Sequence, residues 1–266
     1  MNLQFFFPFI MGLFFIFQDL FANTVEESFL LINGHTKEPV VMKGPYINDR
    51  ISPCSTFKIT LGLMGYDAGI LIDESMPVWV FQEGYDDYLD SWKAPQYPAS
   101  WMKFSCLWYS KILALEIGLD KIQNYLESFA YGNQDVSVGL APPGSTSIAW
   151  INSSLKISPK EQVDFIQKMV SGKLGVSPEA FQMTKTILFK EKLCAGWSLF
   201  GKTGWSGSSV AKDGITKEHG WFVGWIEKED KFYPFAYLIR DKKINLPERV
   251  PRVKELLMQS GIMIEL

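Results

Sequence analysis

The segment PCSTFKITLGLMGY, residues 53–66, combines a serine and a lysine with a run of apolar residues. The apolar residues recur at helical spacing, which predicts one helix from Ser55 to about Tyr66 that packs into a core. Lys58 lies three positions after Ser55, so both side chains lie on the same side of that helix, with Cβ atoms about 5–6 Å apart. A surface pair of this kind would be unremarkable, whereas a buried lysine one turn from a serine indicates chemistry.

The spacing of this pair is common in the chain and is therefore weak evidence. The pattern Ser-x-x-Lys occurs at three further places: Ser100/Lys103, Ser153/Lys156 and Ser209/Lys212. Taken alone, each match is expected on a solvated helix or loop face. The pair at Ser55 differs because its neighbours are apolar and because other motifs accompany it.

Histidine, the usual general base, is scarce in this chain. His35 lies in a polar turn and His219 precedes a predicted strand, and neither has a partner at metal-ligand spacing. A zinc enzyme and a Ser-His-Asp hydrolase are both poorly supported, and the sequence contains no Gly-rich phosphate loop. A lysine can replace histidine if burial lowers its pKa and leaves a neutral amine. Backbone N–H groups at a helix N-terminus beside Ser55 could then stabilise an oxyanion.

Composition and charge are those of an ordinary globular protein. Of the 266 residues, 47% are hydrophobic and 21% are charged, and the net charge is −3. No basic run of useful length occurs, so a nucleic-acid partner is not expected. Cys54, Cys106 and Cys194 allow at most one disulfide, which cannot be assigned, and a small buried residue is the favoured interpretation of all three.

The N-terminus predicts export. Residues 1–22 contain an apolar run from Phe5 to Phe17 that is too short for a comfortable membrane span and lies where a signal peptide would lie. The basic region is missing and the cleavage site is poor, but a cleaved signal is favoured over an uncleaved anchor. We expect residues 23–266 to form a single catalytic domain that is exported, periplasmic and without stable membrane association.

The order of predicted elements indicates an α+β fold. Two short strands are predicted between Glu26 and Val41, and loop-rich stretches at Tyr85–Trp101 and around Pro142-Pro143-Gly144. Helices are predicted at Ser105–Ile117, Leu119–Phe129, Pro159–Val170, Pro178–Phe189 and about Pro247–Gln259. Strands are predicted at Trp197–Thr203, Gly220–Ile226 and Phe232–Ile239, the last two joined by a hairpin turn. We expect an antiparallel sheet formed by N- and C-terminal strands, flanked by helices, with an inserted mostly helical subdomain.

Four ordered motifs carry a resemblance to a known family. They are Ser55-Thr56-Phe57-Lys58, Ser105-Cys106-Leu107, Tyr131-Gly132-Asn133 and Lys202-Thr203-Gly204. With Trp150, the run Trp221–Trp225 and Leu246-Pro247-Glu248-Arg249, the chain resembles the class D, or oxacillinase-type, serine β-lactamases. The resemblance covers nearly everything after the leader. It implies a fold like that of penicillin-binding transpeptidases and hydrolysis of the β-lactam amide.

The resemblance also implies roles for the residues nearest the reacting bond. Ser55 would be the nucleophile that forms an acyl-enzyme. Lys58 would react with CO2 to give N6-carboxylysine, the general base, so that CO2 or bicarbonate is the only co-reactant and no metal is needed. Trp150 would donate its indole N–H to the carbamate, and Ser105 would relay a proton to the leaving nitrogen. The alternatives are purely structural roles: a core aromatic for Trp150 and a helix N-cap for Ser105.

Further residues would bind the substrate. Lys202, Thr203 and Arg249 would hold its carboxylate, and Gly204 would allow close approach at a strand edge. The N–H groups of Ser55 and Trp205 would form the oxyanion hole. Tyr131 and Asn133 would be wall residues in contact with the site, and Leu107 would help to cover the lysine. Taken alone, Lys202 could instead guard an edge strand, and Arg249 could lie on a helix surface.

Two departures from the family pattern bear on the substrate range. The second-serine motif ends in Leu107, where the family usually carries valine or isoleucine. The loop Ala141–Ser147, just before Trp150, resembles an insertion at the rim of the site.

Two other functions share most of these motifs. A β-lactam sensor domain is acylated without turnover, and a cell-wall D,D-peptidase would use the same serine and lysines. Tyr131-Gly132-Asn133 and Trp150 argue against the peptidase. The expected partner is a small-molecule β-lactam, with a homodimer as a further expectation.

Overall fold

The computed structural model describes residues 26–210 and 216–264, with side chains described for all of these except 208–210. Six β-strands lie in these ranges: β1 Glu26–Ile32, β2 Pro39–Lys43, β3 Phe189–Lys192, β4 Ser198–Val210, β5 Thr216–Lys228 and β6 Lys231–Asp241. Seven α-helices accompany them: α1 Phe57–Asp67, α2 Pro98–Phe104, α3 Leu107–Ile117, α4 Leu119–Phe129, α5 Pro159–Val170, α6 Pro178–Leu188 and α7 Arg249–Gln259.

The strands form one antiparallel sheet in the order β2-β1-β6-β5-β4-β3. β5 and β6 form a hairpin, with Lys228 opposite Lys231, and β1 pairs with β6 through registers such as Leu30 with Ala236. The N-terminal strands therefore complete a sheet whose other strands come from the C-terminal half. The predicted α+β fold, with helices inserted between the strands, is confirmed.

Both faces of the sheet are covered. Leu30 belongs to the larger core cluster, whereas its neighbours Phe29 and Leu31 belong to a second cluster that includes Val253 and Leu257 of α7. Adjacent strand residues point to opposite faces, so α7 covers one face and the larger helical layer covers the other. In α1 every residue from Phe57 to Tyr66 is buried, which makes it the central helix of that layer.

The largest departures from the predicted elements are two missed elements and one misplaced strand end. Helix α2 occupies part of a stretch predicted as loop, because its seven residues begin at Pro98 and are too few for a helical period to stand out. β3 was missed, since its sequence FKEK is short and charged. β4 does not end near Thr203 but continues to Val210, beyond the last apolar residue that indicated it.

The predictions about the cysteines, membrane-spanning segments and the export signal have different outcomes. Cys54 and Cys106 are buried, and all three cysteines are free thiols. Cys194 is exposed in a turn between β3 and β4, so the prediction that it is buried is wrong. None of the helices in residues 26–210 and 216–264 has the length and apolarity to cross a membrane. The predicted export signal at residues 1–22 lies outside the described residues.

Candidate active site

Ser55 lies in a short 3-10 turn, Cys54–Thr56, that runs directly into α1. Thr56 Oγ1 donates to the carbonyl of Pro53 at 2.7 Å and closes the turn. Cys54 has a φ of +50°, a left-handed conformation that is uncommon outside glycine. Ser55 is half-buried and its neighbours Cys54 and Thr56 are buried, so Ser55 is the accessible residue of the turn.

Lys58 is buried beneath that hydroxyl. Its side chain is 1% exposed, and its Nζ donates to Ser55 Oγ at 3.4 Å. No carboxylate within the described part of the chain forms an ion pair with it. Burial is the main reason that the pKa of Lys58 falls to about 8, while the thiols of Cys106 and Cys54 act in the opposite direction. A substantial fraction of this amine is therefore neutral near pH 8.

Ser105 lies at the junction between α2 and α3, beside Cys106. It closes α2 in a left-handed conformation with a φ of +60°, and the N-cap of α3 is Cys106. The alternative that Ser105 is an N-cap is therefore wrong, as is the prediction that α3 begins at Ser105. A non-glycine residue held at positive φ stores strain of about 1–3 kcal/mol, which is typical of functional sites. Leu107, the first residue of α3, is half-buried against the core.

Lys202 lies within β4 and is also buried, at 2% exposure. Its Nζ donates to the carbonyl of Thr203 at 2.9 Å. Burial, followed by the charge of Lys58, lowers the pKa of Lys202 well below its ordinary value. A lysine that guards an edge strand would be solvated, so that alternative does not fit. The structure instead brings two lysines to the same buried region.

β4 approaches the Cys54–Thr56 turn, which carries the predicted nucleophile (the nucleophile turn), very closely at Gly204. A Cβ atom there would lie 3.0 Å from the carbonyl oxygen of Pro53 and 3.1 Å from Thr56 Cγ2. β3 pairs only with the beginning of β4, as far as Phe200. Trp205 follows, half-buried, and pairs with Gly220 of β5.

Trp150 is a buried residue whose indole N–H has no partner. It is 1% exposed, its ring centroid lies 5.1 Å from that of Phe57, and Nε1 has no hydrogen-bond acceptor among the described residues. A buried donor left unsatisfied costs about 1–3 kcal/mol. The expectation of a core aromatic explains the packing of Trp150 but leaves this donor unexplained.

Tyr131 and Asn133 form supporting walls. The ring of Tyr131 is buried at 5.7 Å from that of Phe57. The side-chain amide of Asn133 donates to the carbonyl of Ser154 at 2.8 Å and accepts the N–H of Lys156 at 2.8 Å. These contacts tie the Tyr131-Gly132-Asn133 turn to the segment that follows Trp150.

Arg249 is brought to β4 from the start of α7. It is 9% exposed, so the alternative of a helix-surface arginine is wrong. Its Nη1 donates to the carbonyl of Gly204 and, at 3.5 Å, to that of Trp221, while Nε donates to Leu246 at 2.8 Å. The guanidinium therefore supports the backbone next to Lys202 and Thr203.

An ion pair that no sequence motif includes fixes the loop before Trp150. Lys111 of α3 is 1% exposed and donates to Asp86 at 2.8 Å and to the carbonyl of Ser145 at 2.6 Å. Asp86 also accepts the N–H of Gly144 at 3.1 Å. The loop Ala141–Ser147 is thereby tied to α3. A lysine on the apolar face of a helix was the signal that could have revealed it.

No group of three or more metal-ligating side chains occurs within residues 26–210 and 216–264.

The chain is similar to known proteins over most of its length. A family model for the penicillin binding protein transpeptidase domain matches residues 25–258. β-Lactamase OXA-9 of Klebsiella pneumoniae is 35% identical over 219 residues, which cover 81% of this chain and 80% of that protein. The solved structure of OXA-427 class D β-lactamase is 36% identical with a TM-score of 0.77, covering 88% of this chain and 99% of that one.

The chain belongs to the class D β-lactamase family. A regulatory protein, BlaR1 of Bacillus licheniformis, is also similar, at 30% identity over 81% of this chain. The match covers only 33% of that protein, whereas the class D β-lactamases are matched over most of their length.

Proposed function

We propose that this class D β-lactamase hydrolyses the amide bond of penicillin-type β-lactams through an acyl-enzyme on Ser55 and thereby confers β-lactam resistance. The observation that carries the proposal is the buried Lys58, which has no carboxylate partner among the described residues and whose Nζ lies 3.4 Å from Ser55 Oγ. The names of the relatives, which are β-lactamases, support the same substrate class.

Lys58 is proposed to act as N6-carboxylysine. A neutral amine can add CO2 and lose a proton, and a pKa of about 8 makes the neutral form accessible. The unsatisfied N–H of Trp150 Nε1 is a suitable donor for the resulting carbamate. Once carboxylated, Lys58 would supply a general base next to the Ser55 hydroxyl.

Acylation would proceed with the following transfers. Ser55 Oγ loses its proton to the base and attacks the lactam carbonyl carbon. The resulting oxyanion accepts the N–H groups of Ser55 and Trp205, which lie on the closely apposed turn and β4. Ser105 then passes a proton to the lactam nitrogen as the C–N bond breaks, and it takes up in return the proton that the base received from Ser55.

Deacylation uses the same base, with a water molecule as the nucleophile and Ser55 Oγ as the leaving group. A water molecule gives its proton to the base and attacks the ester carbonyl, and Ser55 Oγ leaves with a proton. The substrate carboxylate would be held by Lys202 and Thr203, with Arg249 fixing the strand beneath them.

The sensor function is the second candidate, since a regulatory protein is among the relatives. We further propose that the leader is removed on export and that residues 23–266 act as one periplasmic catalytic domain. The departures at Leu107 and at the rim loop bear on which β-lactams are preferred.

Continuing turnover distinguishes the enzyme from the sensor. Purified mature protein is mixed with an excess of a chromogenic cephalosporin, and we expect hydrolysis to continue through many turnovers. Ser55→Ala should abolish both acylation and turnover. A burst equal to the amount of protein, with no hydrolysis after it, would contradict the enzyme and favour the sensor.

A further inference from the structure

Ser52, three residues before Ser55, is a buried hydrogen-bonding centre that none of the motifs includes. It is 4% exposed. Its Oγ donates to the carbonyl of Trp150 at 2.7 Å and accepts the N–H of Asn152 at 2.9 Å. One small hydroxyl thus joins the approach to the nucleophile turn to the loop that carries Trp150.

The carbonyl of Ser52 joins the same turn to β5. It accepts Trp221 Nε1 at 2.9 Å and His219 Nε2 at 3.0 Å. Because a carbonyl oxygen only accepts, His219 carries its proton on Nε2, and Nδ1 is a buried acceptor without a partner among the described residues. Burial lowers the pKa of His219 to about 4, in agreement with this neutral ring.

Cys54 contacts two groups of this network, the carbonyl of Trp150 and the ring of His219. Its N–H donates to the carbonyl of Trp150 at 3.0 Å, and its Sγ lies 3.4 Å from His219 Nε2. These contacts act on a residue at a φ of +50°, directly before the proposed nucleophile. A left-handed conformation of this kind persists only where the surroundings over-determine it.

A second branch reaches the other side of the proposed oxyanion hole. Ser206 Oγ donates to Asn152 Oδ1, and Ser206 directly follows Trp205 in β4. The network therefore connects the nucleophile turn, the Trp150 loop, β4 and β5. Its members come from four separate parts of the sequence.

A thiol and an imidazole 3.4 Å apart have the spacing of a cysteine nucleophile and its base, but the surroundings argue against that role. Cys54 is 1% exposed, and burial raises the pKa of its thiol to about 11. A reactive cysteine needs access and a lowered pKa. The pair is therefore structural.

We propose that Ser52 and His219 are positioning residues, which hold the Ser55 N–H, the Trp205 N–H and the Trp150 loop in one fixed arrangement. This inference rests on the proposed function. Loss of a single oxyanion-hole donor typically costs about 10²–10³ in kcat, so a shift of one donor should cost somewhat less. Substrate binding through Lys202 should change little.

The test compares the chain's two histidines. His219→Leu removes the donor, and His219→Gln keeps a side-chain N–H. His35 is exposed, with its ring bonded to the carbonyl of Asp230, and serves as the matched control through His35→Leu and His35→Gln. For each protein we would measure kcat and KM with a chromogenic cephalosporin, the rate of Ser55 acylation by a fluorescent penicillin, and the thermal midpoint.

We expect His219→Leu to lower kcat by about 10–100-fold with KM within about twofold, and His219→Gln to recover most of that loss. Ser52→Ala removes a different part of the network, the hydroxyl that bonds Trp150 and Asn152, and it should lower kcat to the same extent. It therefore tests the proposal even if His219→Leu fails to fold. The His35 variants should match the wild type.

Unchanged kcat and acylation rate in folded His219→Leu or Ser52→Ala would overturn the inference, as would equal losses in the leucine and glutamine variants. Absence of turnover in the wild type would instead count against the proposed function, and the acylation rate would still report on positioning.

Discussion

Two buried lysines show how the surroundings of one residue type decide its chemistry. Lys58 and Lys111 are each 1% exposed. Lys111 has a carboxylate at 2.8 Å and a carbonyl at 2.6 Å, whereas among the described residues the hydrogen-bond partner of Lys58 is the hydroxyl of Ser55, at 3.4 Å. A buried ammonium that is paired with a carboxylate holds two segments of the chain together. A buried lysine without such a partner favours the neutral amine.

The proposed carboxylation makes activity depend on pH in a definite direction. Below a pKa of about 8 the neutral fraction of Lys58 falls, by about tenfold for each pH unit. We expect turnover without added bicarbonate to fall on acidification, added bicarbonate to restore part of it, and Lys58→Ala to be inactive. With ¹³C-bicarbonate, one carbamate resonance should appear in the wild type and in Lys160→Ala, an exposed-lysine control, but not in Lys58→Ala. Acidic pH and bicarbonate without effect would contradict carboxylation.

The sequence could predict the motif residues but not those that hold them. Ser55, Lys58 and Lys202 stand in short patterns that can be read directly. His219 was set aside as a residue before a strand, yet it lies inside β5 and bonds to Ser52, 167 positions away. Such a contact depends on tertiary structure, which local spacing does not contain.

At the scale of elements, the accuracy of prediction followed the strength of local signals. Helix α5 was predicted residue for residue, because Ser158 and Glu161 form a capping box and Pro159 occupies the first turn. The end of β4 was misplaced, since Gly204 to Ser209 carry few apolar side chains. That part of β4 is specified by its pairing with β5 and by contact with the nucleophile turn.

The close approach of β4 to the turn can be tested with two glycines of the same strand. Gly204→Ala would place a Cβ 3.0 Å from the Pro53 carbonyl and 3.2 Å from the Thr56 nitrogen, so strand and turn must separate. We expect kcat to fall about 10–100-fold, since displacement by a fraction of an ångström misaligns the donors. At Gly207 a Cβ meets nothing within 4 Å, so Gly207→Ala should retain activity. Equal kcat values for the two variants would show that the approach is not critical.

At the scale of the whole molecule, a cluster of charges joins the two ends of the fold. Glu27 of β1 accepts two hydrogen bonds from Arg252 of α7, at 2.6 and 3.0 Å, and one from Lys43 of β2 at 2.7 Å. The hydrogen bonds from Arg252 are the largest cause that lowers the pKa of Glu27 to about 2. Bidentate pairs of this kind are among the stronger charged contacts in proteins.

This cluster predicts how stability responds to acid. A carboxylate with a lowered pKa stabilises the fold above its unfolded pKa of 4.5, and the contribution is lost as the pH falls toward 2. Glu27→Gln should therefore lower the free energy of unfolding at pH 7 by about 1–3 kcal/mol. The difference from wild type should shrink between pH 4.5 and 2. His219, whose pKa is about 4, affects stability at pH values above that. It is present in both the wild type and the Glu27→Gln variant, so it does not contribute to the difference between them.

Urea unfolding at pH 7 and at pH 3 would measure this difference, with Glu116→Gln on the exposed side of α3 as the matched control. The control should match the wild type at both pH values. If Glu27→Gln were as stable as the wild type at pH 7, or if its deficit were the same at pH 3, the link between β1 and α7 would not rest on this ionised carboxylate. The pairing of β1 with β6 would then have to hold the N-terminal strands in the sheet by itself.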